Sequence, residues 1–195
     1  MITIQKLTEG VYVVPPILSP VEINAIISPE EECALSMHHD DEGGHYVDTD
    51  HYEKYEERKQ EEKRKEENKR NKKNTLPKVA QSLWSVIRSL DLGEFVPYGI
   101  DEQMKLYRLC ENRGVVPAHR DEDFAGPNGS VARMSILVYL NNDFEGGETV
   151  FRQDVVAPHL SPGACLVFRH DVLHEGKVVT RGVKYVLKTD VFCKY

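Results

Sequence analysis

What these 195 residues lack already narrows the possibilities. No apolar run approaches the 18 or so residues that a membrane-spanning helix needs. The opening Met-Ile-Thr-Ile-Gln-Lys has neither the basic start nor the apolar stretch of a secretory signal, so the expected compartment is the cytosol. The four cysteines (Cys33, Cys110, Cys165 and Cys193) form no CxxC and sit among apolar neighbours, a pattern of reduced structural thiols rather than a disulfide framework. There is no internal repeat. A net charge of −7 leaves little positive surface for phosphates, which argues against a general nucleic-acid binder, and no membrane partner is expected. With 40% apolar residues the chain can build a real core, so a wholly disordered protein is excluded, and the length suits one domain overall.

Three stretches differ in character. Residues 1–37 read as a folded strand and helix support: Val11–Val14 is a short apolar strand, and Ser19-Pro-Val-Glu22 is a capping box that starts a helix with Ile23, Ile26 and Ile27 on its apolar side. Residues 38–76 are a polar loop followed by a charged segment. Within it Glu53–Lys73 carries ten basic and seven acidic side chains, a net +3 that leaves −10 for everything else. That segment has no apolar stripe, so a solvated helix held by i,i+4 pairs such as Glu61/Lys65 is expected. Residues 77–195 open on a helix at Pro77, with Val79, Leu83, Val86, Ile87 and Leu90 at helical spacing and Trp84 as a flanking anchor. Short apolar runs at 104–110, 133–140, 148–151, 164–169 and 183–192 then alternate with turn residues. These predict a β sandwich or barrel resting on a helical N-terminal support of about 100 residues.

The chemistry gathers in the second half. In an extended chain, side chains two apart leave the same face, so His119 and Asp121 can converge on one metal while Arg120 points away. A lone histidine follows late, at His174, with His170 competing for the same role. Two histidines and one carboxylate make a facial triad that suits Fe(II) and leaves coordination positions open. Lys184 is a cation in an otherwise apolar strand and needs a partner, which the far carboxylate of a dicarboxylic co-substrate would supply. Lys188, on the same strand face, is the alternative anchor.

Several segments in order carry a family resemblance: His119-Arg-Asp121, Ser135-Ile-Leu-Val-Tyr139-Leu-Asn141 through Gly146-Gly-Glu-Thr149, Pro162-Gly-Ala, Phe168 through His174-Glu-Gly176, and Gly182-Val-Lys184-Tyr. Over Leu106–Tyr195 the chain resembles Fe(II)/2-oxoglutarate-dependent dioxygenases of the prolyl 4-hydroxylase-like branch. The resemblance implies an α+β fold with a double-stranded β-helix (jelly roll) core. It implies His119, Asp121 and His174 as iron ligands, and Lys184 and Tyr139 at the 5-carboxylate of 2-oxoglutarate. Fe(II), 2-oxoglutarate as co-substrate and ascorbate as accessory reductant are the implied cofactors. The implied reaction hydroxylates a C–H bond of a peptide, protein or amino-acid substrate with O2, giving succinate and CO2. One departure stands out. Relatives often carry a tyrosine about ten residues before the first histidine, where this chain has Leu109 and Cys110, with Tyr107 slightly earlier.

Other readings compete at particular residues. His38, His39, Asp40, Asp41, His45 and His51 have the composition of a metal site without regular spacing. Gly146-Gly147 reads as a turn, Cys165 and Cys193 as core, and Arg133 as an exposed strand-end residue. From a different function class, the chain could be a catalytically silent cupin-like module that uses its charged segment to bind partners. A silent module, however, has no need of the full triad together with Lys184.

Overall fold

The computed structural model describes residues 4–27, 77–92, 94–112 and 115–194. The expected polar loop, its histidine-rich cluster, the charged segment Glu53–Lys73 and Cys33 lie outside the described residues. In chain order the elements are β1 (Gln5–Thr8), β2 (Val11–Val14), α1 (Pro20–Ile27), α2 (77–87), β3 (Val96–Ile100), β4 (Lys105–Cys110), β5 (Val116–His119), β6 (Phe124–Ala125), β7 (Val131–Tyr139), β8 (Glu145–Gly146), β9 (Thr149–Phe151), β10 (Val155–Val156), β11 (Cys165–Arg169), β12 (His174–Gly176), β13 (Val179–Arg181) and β14 (Val183–Lys194).

A large antiparallel sheet runs β1-β2-β11-β7-β14-β3, with β4 also paired to β14 and β6 to β7. A smaller sheet, β10-β9-β12-β5, lies apart from it, and β13 pairs with β8. Strand alternation gives the large sheet two apolar faces. On one, Met134, Ile136 and Val138 of β7 join Leu187 and Val191 of β14 and Cys165 and Val167 of β11 against the helices. On the other, Leu166 and Phe168 of β11, Leu109 of β4 and Tyr139 of β7 form a second core with Phe151 from the small sheet. The result is the expected jelly roll: two sheets with a core between them, and helices backing the larger.

The helices follow the sequence closely. At the start of α1 the Glu22 carboxylate accepts the Ser19 backbone N–H at 2.8 Å, while Ser19 Oγ accepts the Glu22 N–H at 3.3 Å. Glu22 also accepts a hydrogen bond from Ser82 Oγ at 2.8 Å, so the same carboxylate that caps α1 ties it to α2. Val79, Leu83 and Ile87 are fully buried along one stripe of α2, whereas Trp84 is only half buried beside it. Removing the Leu83 side chain leaves a hole between α2 and the large sheet. Leu83→Ala is expected to cost about 2–5 kcal/mol and lower Tm by roughly 4–20 °C for a chain of this size, as read by thermal denaturation.

The N-terminal region departs from expectation in one respect: it is not a helical support alone. β2 is an inner strand of the large sheet, with Cys165 opposite Val14 and Phe168 opposite Val11, and β3 pairs with the C-terminal half of β14. Val11 and Val14 are fully buried, so this short β-branched run must be covered on both faces, and only a place inside the sheet does that.

Candidate active site

β5 and β12 are antiparallel neighbours, and His119 stands directly opposite His174 in their register. Facing positions on adjacent strands bring Cβ atoms within about 5.5 Å, and here the imidazole centroids are 4.3 Å apart. Asp121 follows two residues after His119, just past the end of β5, and turns its carboxylate toward both rings. Its Oδ1 lies 3.5 Å from His119 Nε2 and its Oδ2 4.0 Å from His174 Nε2. The three ligand atoms all fall within 4.8 Å of one another, and this is the metal-competent group among the described residues. Arg120 points away, its Nε donating to Asp171 O at 3.0 Å.

Each imidazole is held in the tautomer a metal requires. His119 Nδ1 lies 2.9 Å from Pro117 O and His174 Nδ1 lies 3.0 Å from Val172 O. A carbonyl only accepts, so Nδ1 carries a proton in both rings and Nε2 is the nitrogen left to face Asp121 and a metal. Backbone carbonyls two residues upstream therefore orient both donors without a metal present, which is the outer support that metal-bound histidines use. Burial among Phe168 and Phe151 lowers the His174 pKa and favours its neutral, ligating form, whereas the hydrogen bond to Asp121 raises that of His119. Burial works against ionisation of Asp121, but the His119 bond, the Lys188 charge and the Ser135 hydroxyl outweigh it and hold the carboxyl well below its ordinary range. Two Nε2 atoms and one firmly ionised carboxylate, converging on one point, fit an Fe(II) ion, which would displace the proton that Asp121 favours on His119.

His170 belongs elsewhere. It is buried, with Nε2 3.1 Å from Asp190 Oδ1 and Nδ1 3.2 Å from Asp123 Oδ1, in a polar cluster that continues to Arg133 through Asp123. Ser135 links this cluster to the triad by donating to Asp121 Oδ2. Arg133 is accordingly an ion-paired residue rather than a free strand-end cation.

The triad opens into a cavity with about 570 Å³ of non-protein space, counting its mouth. Apolar walls come from Leu109, Val116, Leu137 and Val186, and Lys184 also lines it. The Lys184 side chain is almost wholly buried, and burial pushes its pKa down to about 8, with Glu148 pulling the other way. Its Nζ donates to Gly147 O at 2.6 Å and lies 4.6 Å from the Tyr139 ring centroid. None of its described contacts is an ion pair, so the buried cation still lacks a full counter-charge. The Asn141 side chain fixes the backbone on both sides of it, donating to Val183 O and accepting the Tyr185 N–H, each at 2.7 Å.

Tyr139 stands one layer behind the cavity wall. Its hydroxyl pairs with Thr149 Oγ1 at 2.8 Å, and it is Thr149 that lines the cavity. Tyr107, one strand over and opposite Val186, lines the cavity despite its shifted position in the sequence. Lys188, 21% exposed, turns its head group inward where a long stem usually carries it to solvent. Its Nζ lies 3.0 Å from Asp121 Oδ1, at the triad rather than at the Lys184 end. Gly147 does more than turn the chain. With φ of +65° it favours glycine, its carbonyl holds Lys184, and a Cβ there would come within 3.2 Å of the lysine stem.

Residues 103–189 match the family model described as the 2OG-Fe(II) oxygenase superfamily. These residues form a 2OG-Fe(II) oxygenase domain. The match supports an oxygenase that takes Fe(II), 2-oxoglutarate, O2 and a substrate, and the silent-module reading is not favoured. Among solved structures, the viral collagen prolyl hydroxylase of Paramecium bursaria Chlorella virus-1, in its 2OG complex, aligns with TM-score 0.58 and 13% identity over 95% of this chain and 97% of that one. A prolyl-4-hydroxylase from Pseudomonas putida aligns with TM-score 0.58 and 15% identity over 96% and 95%. One from Phytophthora capsici aligns with TM-score 0.53 and 17% identity over 95% and 59%. At such identities the likeness shows the fold. No curated protein sequence matches the chain.

Proposed function

We propose that this oxygenase hydroxylates a C–H bond of a peptide, protein or amino-acid substrate, with His119, Asp121 and His174 holding the iron and Lys184 anchoring the far carboxylate of 2-oxoglutarate. The observation that carries the reading is one cavity with a metal-competent triad and a buried, under-compensated ammonium on its walls. A dicarboxylic 2-oxo acid answers both needs, one end chelating the metal and the other meeting Lys184. The substrate class is supported by the prolyl hydroxylase folds that this chain shares over nearly its whole length.

When bound, Fe(II) with 2-oxoglutarate and O2 supplies the oxidation, and the co-substrate leaves as succinate and CO2. The chain's own residues do the positioning. His119 and His174 offer Nε2 lone pairs because Pro117 O and Val172 O hold their Nδ1 protons. Asp121 stays ionised. Lys184 fixes the co-substrate's direction through a charge-assisted bond in a partly desolvated slot, and Leu109, Leu137 and Val186 keep stray water from the reacting end.

Supplied with Fe(II), ascorbate and 2-oxoglutarate, the purified protein is expected to release succinate slowly, and faster when the right member of a peptide and amino-acid panel is added. Mass spectrometry should find 16 Da added to that member, the mass of one oxygen atom. Stimulated succinate release with no oxygen gained by any panel member would overturn the substrate class. No succinate under any condition would overturn the assignment of these residues.

A further inference from the structure

Lys188 is a second cation in the same cavity, and the proposed mechanism leaves it without a task. It shares a strand face with Lys184 four residues away, roughly 13 Å along β14 at 3.3 Å per residue, yet it meets the opposite end of the site. Its Nζ lies 3.0 Å from Asp121 Oδ1, and the side chain is 21% exposed. Asp121 is already supported from its other oxygen by Ser135, so Lys188 is not needed to orient the carboxylate. What Lys188 adds is charge beside the metal position. Glu175 also lines the cavity, but its carboxylate is paired with Lys177 at 2.6 Å.

Counting the remaining charges with neutral imidazoles, the empty cavity holds one carboxylate, Asp121, against two ammonium groups, a net of plus one. A divalent metal entering alone raises that to plus three. The 2-oxoglutarate dianion returns it to plus one. Without Lys188 the same three states stand at zero, plus two and zero. The positive charge thus opposes the metal on its own and favours the metal together with the dianion. It acts at the triad, where the 2-oxo acid end would meet the metal.

We propose that Lys188 couples the two bindings: it weakens metal binding in the co-substrate-free enzyme and strengthens 2-oxoglutarate binding to the metal-loaded one. This rests on the metal-centre reading above. Because linkage is reciprocal, one quantity measures it, the ratio of metal dissociation constants without and with 2-oxoglutarate. Neighbouring charges at partly buried sites typically yield couplings on the order of ten- to a hundredfold.

The test titrates Mn(II), a redox-stable stand-in for Fe(II), into the full chain by calorimetry, with and without 2-oxoglutarate. Lys188→Met is expected to bind Mn(II) alone more tightly than wild type and to lose about ten- to a hundredfold of the coupling ratio. Lys188→Arg, which keeps the charge, is expected to restore the ratio. Should the methionine variant fail to fold, Lys188→Gln carries the same comparison. A coupling ratio within about threefold of wild type in the neutral variants, or weaker Mn(II) binding alone, overturns the proposal and leaves Lys188 as a mere partner of Asp121. A wild-type chain that binds no Mn(II) overturns the metal-centre reading itself, which is a separate result.

Discussion

His174→Ala is expected to lose succinate formation from 2-oxoglutarate by at least about three orders of magnitude, together with stoichiometric metal binding. The reason is geometric. His174 is the triad's member from β12, and without it His119 and Asp121 remain as a two-ligand remnant at the end of β5. The fold should survive, because the ring packs at the cavity edge against Phe168 and His119, and the sheets hold together through Phe151, Phe168 and Leu166 behind it. Circular dichroism and thermal denaturation check that separately from activity. His170→Ala makes the contrast. That residue is the more buried of the two and sits between Asp123 and Asp190, so its loss opens a hole and takes from Asp190 its imidazole partner, and should lower stability while metal binding remains. If His174→Ala kept near wild-type succinate release, and His170→Ala abolished it, the triad would have to be redrawn around His170.

Sequence alone made the helices and long strands legible. The α2 stripe has a clean helical period, β7 and β14 are long strands carrying Val and Ile, and β11 is a short apolar run bounded by turn residues. The Ser19–Glu22 box was equally readable, since a cap depends on residues only three apart. β5 and β12 were not. Val116–His119 contains Pro117 and two exposed positions, and His174–Gly176 is only three residues long, so neither shows a period of two. Their pairing, which sets His119 opposite His174, is a long-range register that no local pattern encodes. Family resemblance supplied the triad where periodicity could not.

The departures around the co-substrate have a common cause as well. Whether a lysine reaches solvent or turns inward depends on a partner distant in sequence, and Lys188 finds Asp121 from 67 residues away. Tyr139 was expected from the family resemblance at the 5-carboxylate of 2-oxoglutarate beside Lys184, but its hydroxyl pairs with Thr149, ten residues on, and it is Thr149 that lines the cavity. Tyr107 reaches the cavity because β4 pairs with β14 in a register that sets it opposite Val186. Asn141 and Gly147 gave no chemical signal at all. Their importance lies in backbone contacts on either side of Lys184 and at its head group.

Those contacts set the second large effect. Lys184→Met keeps the length and apolar stem of the side chain, so packing against Tyr139 and Phe144 is retained while the ammonium is lost. Removing one partner of a desolvated charge pair costs about 2–5 kcal/mol, which at about 1.4 kcal/mol per decade raises the 2-oxoglutarate KM by roughly one and a half to three and a half orders of magnitude. Mn(II) affinity in the absence of co-substrate should weaken in neither Lys184→Met nor Lys188→Met, because neither lysine is a ligand. The pH dependence gives an independent signature. In the free enzyme burial lowers the Lys184 pKa to about 8, so the ammonium that a carboxylate requires is present below that pH and is lost as pH rises through it. Binding then demands proton uptake, and wild-type affinity for 2-oxoglutarate should fall toward a limit of about tenfold per pH unit above pH 8. Lys184→Met has no proton to lose there and should show a weak but flat profile over the same range. Calorimetric titration of the Mn(II)-loaded protein from pH 7 to pH 9.5 measures both quantities. A KM for Lys184→Met within about threefold of wild type, with the pH dependence unchanged, would move the carboxylate anchor away from Lys184.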